Sequence, residues 1–150
     1  MAYFAQIDDS NIVLTVNKIA NGDCLDGDGN ESESVGAAFC KTLWGNDTNW
    51  KQSSFNSLHG KHYLNGEYAV ESGKPAFRVN YAQPGYIYDP ELDAFKPPLP
   101  HPSWIRNETT LMVEAPVAYP VDSEGDEIPG YYWDEDVYQA DNTKGWVLEE

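Results

Sequence analysis

Basic residues are scarce in this sequence: nine Lys and Arg stand against 25 Asp and Glu, for a formal net charge of -16. Phosphate binding draws its free energy from Lys and Arg that neutralise charge, so the balance excludes nucleic acid as a natural partner. The same deficit excludes attraction to anionic membrane surfaces. A well-solvated surface that resists aggregation accounts for the charge, with repulsion between copies or a basic partner as the alternatives. No run approaches the ~20 apolar residues of a membrane helix. The start, Met1-Ala2-Tyr3-Phe4-Ala5-Gln6-Ile7-Asp8, lacks the basic and long apolar segments of a signal peptide. The expectation is a chain made in a cytoplasm and soluble there, unless an assembly carries it out. Cysteine is also rare. Cys24 and Cys40 are too few for a disulfide framework, which leaves two buried thiols or a single bridge.

What the chain does have is aromatic area, with 10 Tyr and 5 Trp. These residues combine a large apolar body with a polar tip and suit thin β layers and interfaces. Its 150 residues suffice for one ordinary domain with its own core, without staples of metal or disulfide.

Alternation of apolar and polar residues over 2–18 predicts a β-hairpin, with Tyr3, Ala5 and Ile7 on one strand and Ile12, Leu14 and Val16 on the other. Asp8-Asp9-Ser10-Asn11 supplies turn chemistry between them. A polar loop follows over 21–34. Helical spacing of Val35, Ala38, Phe39 and Leu43 predicts one short α-helix near 33–44. Ser32, or Asn30 with Glu33, would cap its start, and Gly45 would end it. Cys40 lies beside its apolar face. Residues 49–56 read as a strand anchored by Trp50 and Phe55. The segment 57–80, with Gly60, Gly66 and Gly73, reads as a long loop or a poorly specified hairpin.

The second half repeats a theme. Gly85-Tyr86-Ile87-Tyr88-Asp89 precedes Phe95, and Gly130-Tyr131-Tyr132-Trp133-Asp134 precedes Tyr138 and Trp146. Each reads as a strand ending in aromatic-x-aromatic-Asp, then a turn, then an aromatic on the return strand. Trp104-Ile105-Arg106 and Leu111-Met112-Val113 flank a third turn. Pro97-Pro98-Leu99-Pro100-His101-Pro102, Pro116 and Pro120 form extended connectors that cannot join a central strand. The fold class expected is mostly β, several hairpins forming a small sandwich or barrel-like core, with one helix and Pro-rich arms. A β-rich part over 1–96 and a Pro-rich, aromatic part over 97–150 are expected to pack as one unit.

Motifs for chemistry are incomplete. Asp26-Gly27-Asp28-Gly29-Asn30 places acids at alternate positions as an EF-hand loop does, but Glu31 stands at the sixth position and Ala37 at the twelfth, where Gly and Glu are required. Cys24, Cys40, His59 and His62 lack zinc-finger spacing. Glu114 and Glu127 carry no glycosidase signature. Ser53, Ser54 and Ser57 near His59 lack a nucleophile elbow. No catalytic, cofactor or metal-binding residue is assigned, and the chain is not expected to be an enzyme. Tyr86, Tyr88, Trp104, Tyr131, Tyr132 and Trp133 would serve either as packed core and interface or as a stacking platform for sugars.

Several strings, taken in order, carry a resemblance. They are Ala2-Tyr3-Phe4-Ala5-Gln6-Ile7-Asp8, Val35-Gly36-Ala37-Ala38-Phe39-Cys40, Asn49-Trp50-Lys51-Gln52-Ser53-Ser54-Phe55-Asn56, Asn80-Tyr81-Ala82 with Gly85-Tyr86-Ile87-Tyr88-Asp89, Asp93-Ala94-Phe95 with Pro97-Pro98, Pro102-Ser103-Trp104 and Tyr131-Tyr132-Trp133-Asp134-Glu135. This order resembles small virion structural proteins of tailed phages that infect marine cyanobacteria and related aquatic bacteria. The chain departs from the pattern at Gln83-Pro84 and in the acidic stretch 122–127. The resemblance implies a particle component, made in the host cytoplasm and located in the virion, and no catalytic residue. The expected role is a capsid decoration or cement protein, bound in many copies or as a homo-oligomer to the major capsid protein or another virion protein. Trp104, Tyr131 and Trp133 are the expected interface anchors. The alternatives are a tail, baseplate or fibre-attachment component and a carbohydrate-binding module for host adsorption.

Overall fold

The computed structural model describes residues 1–65 and 68–150; Gly66 of the irregular segment falls outside them. The chain is mostly β, in small antiparallel sheets. It divides into two compact units: Met1–Pro98 with Glu108–Met112, and Leu99–Asn107 with Val113–Glu150.

The first unit is organised by β1 (Ala2–Ile7), the central strand of a three-stranded sheet. β2 (Val13–Ile19) and β3 (Asn49–Ser53) flank it, both antiparallel. Because side chains alternate across a strand, β1 feeds two cores. Ala2 and Phe4 join Ile19, Cys24, Cys40 and Trp50 beneath α1 (Glu33–Trp44), while Ala5 and Ile7 join Val13, Ala82, Tyr88 and Phe95 on the other face. A strand buried on both sides explains why 2–7 carries no charged residue.

The alternation predicted for the second strand is out of phase. Val13 and Ile19 are buried, whereas Ile12 and Leu14 are exposed. A bulge at Gln6/Ile7 shifts the register, so that Ile7 opposes Val13 while Gln6 opposes Thr15. One extra residue reverses which side chains face the core. The helix has the predicted bounds, with the Ser32 hydroxyl accepting from Val35 N and Gly45 N–H donating to the Lys41 carbonyl. Its buried face is different: Gly36 and Cys40 are buried, with Ala37 and Phe39 packed beside them, while Leu43 is 54% exposed. A Cβ at Gly36 would overlap the Phe4 ring and lie 2.9 Å from Cys24 Cβ, so the helix approaches the sheet through its smallest residue. Periodicity of large apolar residues cannot register such a contact. Both cysteines are free thiols. Burial pushes Cys24 up and Cys40 to about 11, which makes both poor nucleophiles.

The segment expected to be irregular instead holds a second three-stranded sheet, β4 (Ser57–Leu58), β5 (Lys61–Tyr63) and β6 (Glu71–Pro75), in that order. Its strands are too short and too polar to show alternation. β7 (Ile87–Asp89) and β8 (Ala94–Lys96) form the expected hairpin, whose turn is closed by Asp89 Oδ1 accepting from Glu91 N and Leu92 N.

The second unit contains two two-stranded ribbons. β9 (Ile105–Arg106) pairs with β10 (Val113–Glu114), and β11 (Tyr131–Trp133) with β12 (Trp146–Leu148). Between β11 and β12 a second short helix, α2 (Glu135–Ala140), replaces the return strand predicted through Tyr138. Asp134 caps it by accepting from Asp136 N and Val137 N, so this Asp starts a helix instead of a hairpin turn. Among the described residues no sheet closes into a barrel.

Among the described residues one turn recurs three times. Asp8, Asp26 and Asp122 each accept with Oδ1 from the backbone N–H groups two and four residues on. Each turn places its fourth residue in the left-handed region: Asn11 at φ 63°, Gly29 at 80° and Gly125 at 91°. An Asp that bonds its own backbone and a residue that tolerates positive φ suffice to specify the loop.

Candidate functional site

The three residues expected at an interface lie in the second unit. Trp104 and Trp133 are brought together, with ring centroids 5.8 Å apart and nearly perpendicular. Trp146 joins both, at 6.0 Å from Trp104 and 5.3 Å from Trp133. His101 and Tyr138 pack against the same group. Among the described residues Tyr131 is reached through Tyr119, which stacks edge-on against both Tyr131 and Trp146. Edge-to-face pairs of this kind add about 0.5–1.5 kcal/mol each beyond area burial. Of the expected interface anchors Trp104, Tyr131 and Trp133, Trp133 is 7% exposed and forms the centre of the cluster. Gly145 seals it from one side, since a Cβ there would overlap the Trp133 ring.

Glu135 locks this group. It accepts from Trp133 Nε1 (2.9 Å), Ser103 Oγ (2.7 Å), Ser103 N (3.1 Å) and Gln139 Nε2 (3.0 Å). The Trp133 bond, then those of Ser103 and Gln139, hold its carboxyl below the usual glutamate range. Trp146 Nε1 donates to the Val117 carbonyl and Tyr119 Oη to that of Ile128. Trp104 Nε1, by contrast, is buried with no hydrogen-bond partner.

Alternation along β11 leaves Tyr132 outward, 47% exposed and opposite Val147. Ile105, Val121 and Leu148 are each more than half exposed. Within this whole unit only Trp133 and Gly145 are buried. A unit of this size seldom gains more than roughly 3–5 kcal/mol even from a full core, and this one is close to a single tryptophan ringed by half-buried aromatics.

In the first unit the most strongly coupled polar site is Arg78, which sequence reasoning passed over. Its side chain is 8% exposed. The guanidinium grips both oxygens of Glu33, donates to Asp93 Oδ1 (2.9 Å) and to the Gln52 carbonyl (2.9 Å), and lies over the Phe77 and Tyr88 rings. Glu33 in turn accepts from Gln52 N (2.8 Å), so the ion pair occupies both backbone groups of Gln52 on the edge strand β3. Such capping blocks strand addition at that point. Burial would raise the Glu33 carboxyl, but the bonds from Arg78 and Gln52 more than offset it and hold Glu33 below its ordinary value. Tyr88 donates to Asp93 at 2.6 Å, and burial with that bond pushes its phenol up to about 12. The signal was the residue type itself: only two arginines occur in a strongly acidic chain.

The first unit also carries an open cleft of about 670 Å³. Tyr3, Phe55 and Phe77 form its aromatic surface, with Glu31, Gln52, Asn56 and His62 as polar neighbours. Tyr3 and Phe55 pack at 5.1 Å. Asn56 Oδ1 is buried without a partner, an uncompensated acceptor worth roughly 1–3 kcal/mol. Among the described residues no Lys or Arg side chain lines the cleft, which Met1 borders with its terminal ammonium.

Acids singled out for metal or catalysis are placed differently. Asp26 Oδ1 is engaged by the backbone of its own turn. Glu114 lies on β10 and Glu127 is bridged to Val121 across an acidic turn. Among the described residues no three His, Cys, Asp or Glu side chains converge as a metal site would require. Tyr86 and Tyr88 belong to the first unit and Trp104, Tyr131, Tyr132 and Trp133 to the second, where the tryptophans pack edge to face and present no flat platform. Comparison of the chain with family models, with curated proteins and with solved structures finds no match.

Proposed function

We propose that this chain is a structural protein of a tailed-bacteriophage particle, bound in many copies to the assembled capsid shell as a decoration or cement protein. The observation that carries the proposal is the thin core of the second unit. Its one buried large side chain, Trp133, cannot supply the apolar burial of an independent fold, while Tyr132, Ile105, Val121 and Leu148 remain at the surface. Docking against a shell protein would cover those side chains and complete the missing core. The ribbon β11–β12 has only two strands, an arrangement that suits strand addition from a partner. The order of aromatic motifs along the chain, which resembles that of phage virion proteins, supplies the kind of partner.

In this reading Trp104, Tyr131 and Trp133 act together as a rigid support, and Tyr132 is the ring that meets the partner. The acidic surface faces outward, where like charges on neighbouring copies favour an even coat over aggregation. A tail, baseplate or fibre-attachment role uses the same docking logic at fewer positions.

The test is reconstitution. Purified chain added to shells that lack it should co-sediment with them to saturation. Tyr132→Ala should reduce occupancy without lowering the melting temperature of the free chain. Unaltered occupancy, or no binding to shells while tail assemblies retain the chain, would overturn the decoration role.

A further inference from the structure

We infer that the cleft of the first unit is a binding site for a neutral saccharide. This goes beyond the structural role proposed above and stands on a different unit of the chain. Two requirements fix the ligand class. The rings of Tyr3, Phe55 and Phe77 demand an apolar face, and Phe77, although Arg78 lies over its ring, is still 41% exposed, so the rest of its surface is available to a ligand. The polar neighbours demand hydroxyls at the edge of that face. Asn56 lines the cleft and its buried Oδ1 has no partner, so a small rotation of this side chain toward the cleft would let a ligand O–H supply one. His62 has its Nδ1 engaged with Ser72 Oγ at 2.7 Å, which fixes the ring and leaves Nε2 for a ligand. Glu31 adds a carboxylate that accepts from Gln52 Nε2 and has a further oxygen free to accept a hydroxyl.

A pyranose ring meets both requirements, because its C–H face stacks on aromatic rings while its equatorial hydroxyls project sideways. The cleft volume of about 670 Å³ suits one or two such rings. Charge narrows the class. The lining has no Lys or Arg side chain, and its one fixed cationic group, the Met1 terminal ammonium, is opposed by Glu31 and by the net charge of -16 on the chain, so phosphorylated, sulfated or uronic sugars are disfavoured. A site of this kind on a coat protein would hold the particle on a host surface glycan, with many weak copies acting together.

The experiment uses the full chain on a printed array of neutral and acidic bacterial-type oligosaccharides, followed by calorimetric titration with the strongest neutral hit. The expected result is binding confined to neutral sugars, weakened about tenfold or more by Phe77→Ala and by Asn56→Ala and unchanged by Tyr132→Ala. Thermal melts of each variant show that the fold persists; Phe77 is a surface side chain, so its variant keeps the test decisive if Asn56→Ala does not fold. Absence of any oligosaccharide signal overturns the inference, as does a preference for acidic sugars or binding that survives Phe77→Ala. So does a Phe77→Ala chain that loses attachment to capsid shells while the native chain ignores sugars, since the cleft would then be a protein-docking surface. Failure of shell binding alone bears on the decoration role and leaves the sugar site standing.

Discussion

Replacing Arg78 with Met should cost more stability than any other single change of a charged residue in the first unit. Met keeps the apolar stem over Phe77 and Tyr88 and removes the guanidinium, so the loss isolates the polar network. Three groups lose a donor: Glu33, with its side chain 32% exposed, the Gln52 carbonyl, and Asp93, with its side chain 61% exposed. Asp93 is screened by water and contributes little. Glu33 is the expensive one, because removal of one partner from a buried ion pair costs roughly 3–5 kcal/mol. Partial exposure of Glu33 and its remaining bond from Gln52 N–H put the expected loss at the lower end, about 3 kcal/mol. That is a large share of the roughly 5–15 kcal/mol available to a domain. The melting temperature should fall by at least about 10 °C. Calorimetry and urea unfolding followed by far-ultraviolet circular dichroism would measure it. Adding Glu33→Gln to Arg78→Met should restore part of the loss, because the orphaned carboxylate disappears. A cost below about 1 kcal/mol would refute the reasoning, as would a double variant whose loss is the sum of the two single ones.

Acid should weaken the fold through the same carboxylates. Glu33, Asp93 and Glu135 are held below their ordinary values, so the unfolded chain binds protons first; their stabilisation is complete above about pH 4–4.5 and is lost as the pH falls through their folded values. Denaturant midpoints measured from pH 6 to pH 2 should fall below pH 4, less steeply in Glu33→Gln. Gly145→Ala should drive a Cβ into the Trp133 ring and cost about 1–3 kcal/mol, enough to open the second unit; limited proteolysis within 115–130 should then accelerate while the first unit stays intact. Gly125→Ala should cost about 1–2 kcal/mol by forcing a side chain to positive φ, and Ser123→Ala in the same turn should be neutral, as thermal melts would show.

Local rules made much of the fold legible. The Ser32 cap, the Gly45 stop and the Asp-rich turns are specified by neighbouring residues, and the sequence predicts them where they occur. The β7–β8 hairpin follows from Asp89-Pro90 in the same way. Failures came where a distant contact decides. The Gln6/Ile7 bulge moved the buried set from Ile12 and Leu14 to Val13 and Ile19. Gly36 became a core position because Phe4 needs the space. Asp134 reads equally as a turn opener and as a helix cap, and only the residues after it distinguish the two. Trp104 and Trp133, named together from the sequence, pack against each other, whereas Tyr131 meets them through Tyr119. Which ring faces outward was not legible, since that depends on the pleat of β11 and on Gly145. Arg78 draws its importance from partners 45 and 15 residues away, a separation at which no local pattern operates.

The most direct test of a decoration role is a count of this polypeptide in purified particles, by quantitative mass spectrometry against the major shell protein. A coat that follows the shell lattice requires on the order of hundreds of copies per particle. About six or twelve copies would assign the chain to the tail or neck, and particles without the polypeptide would contradict the proposal outright.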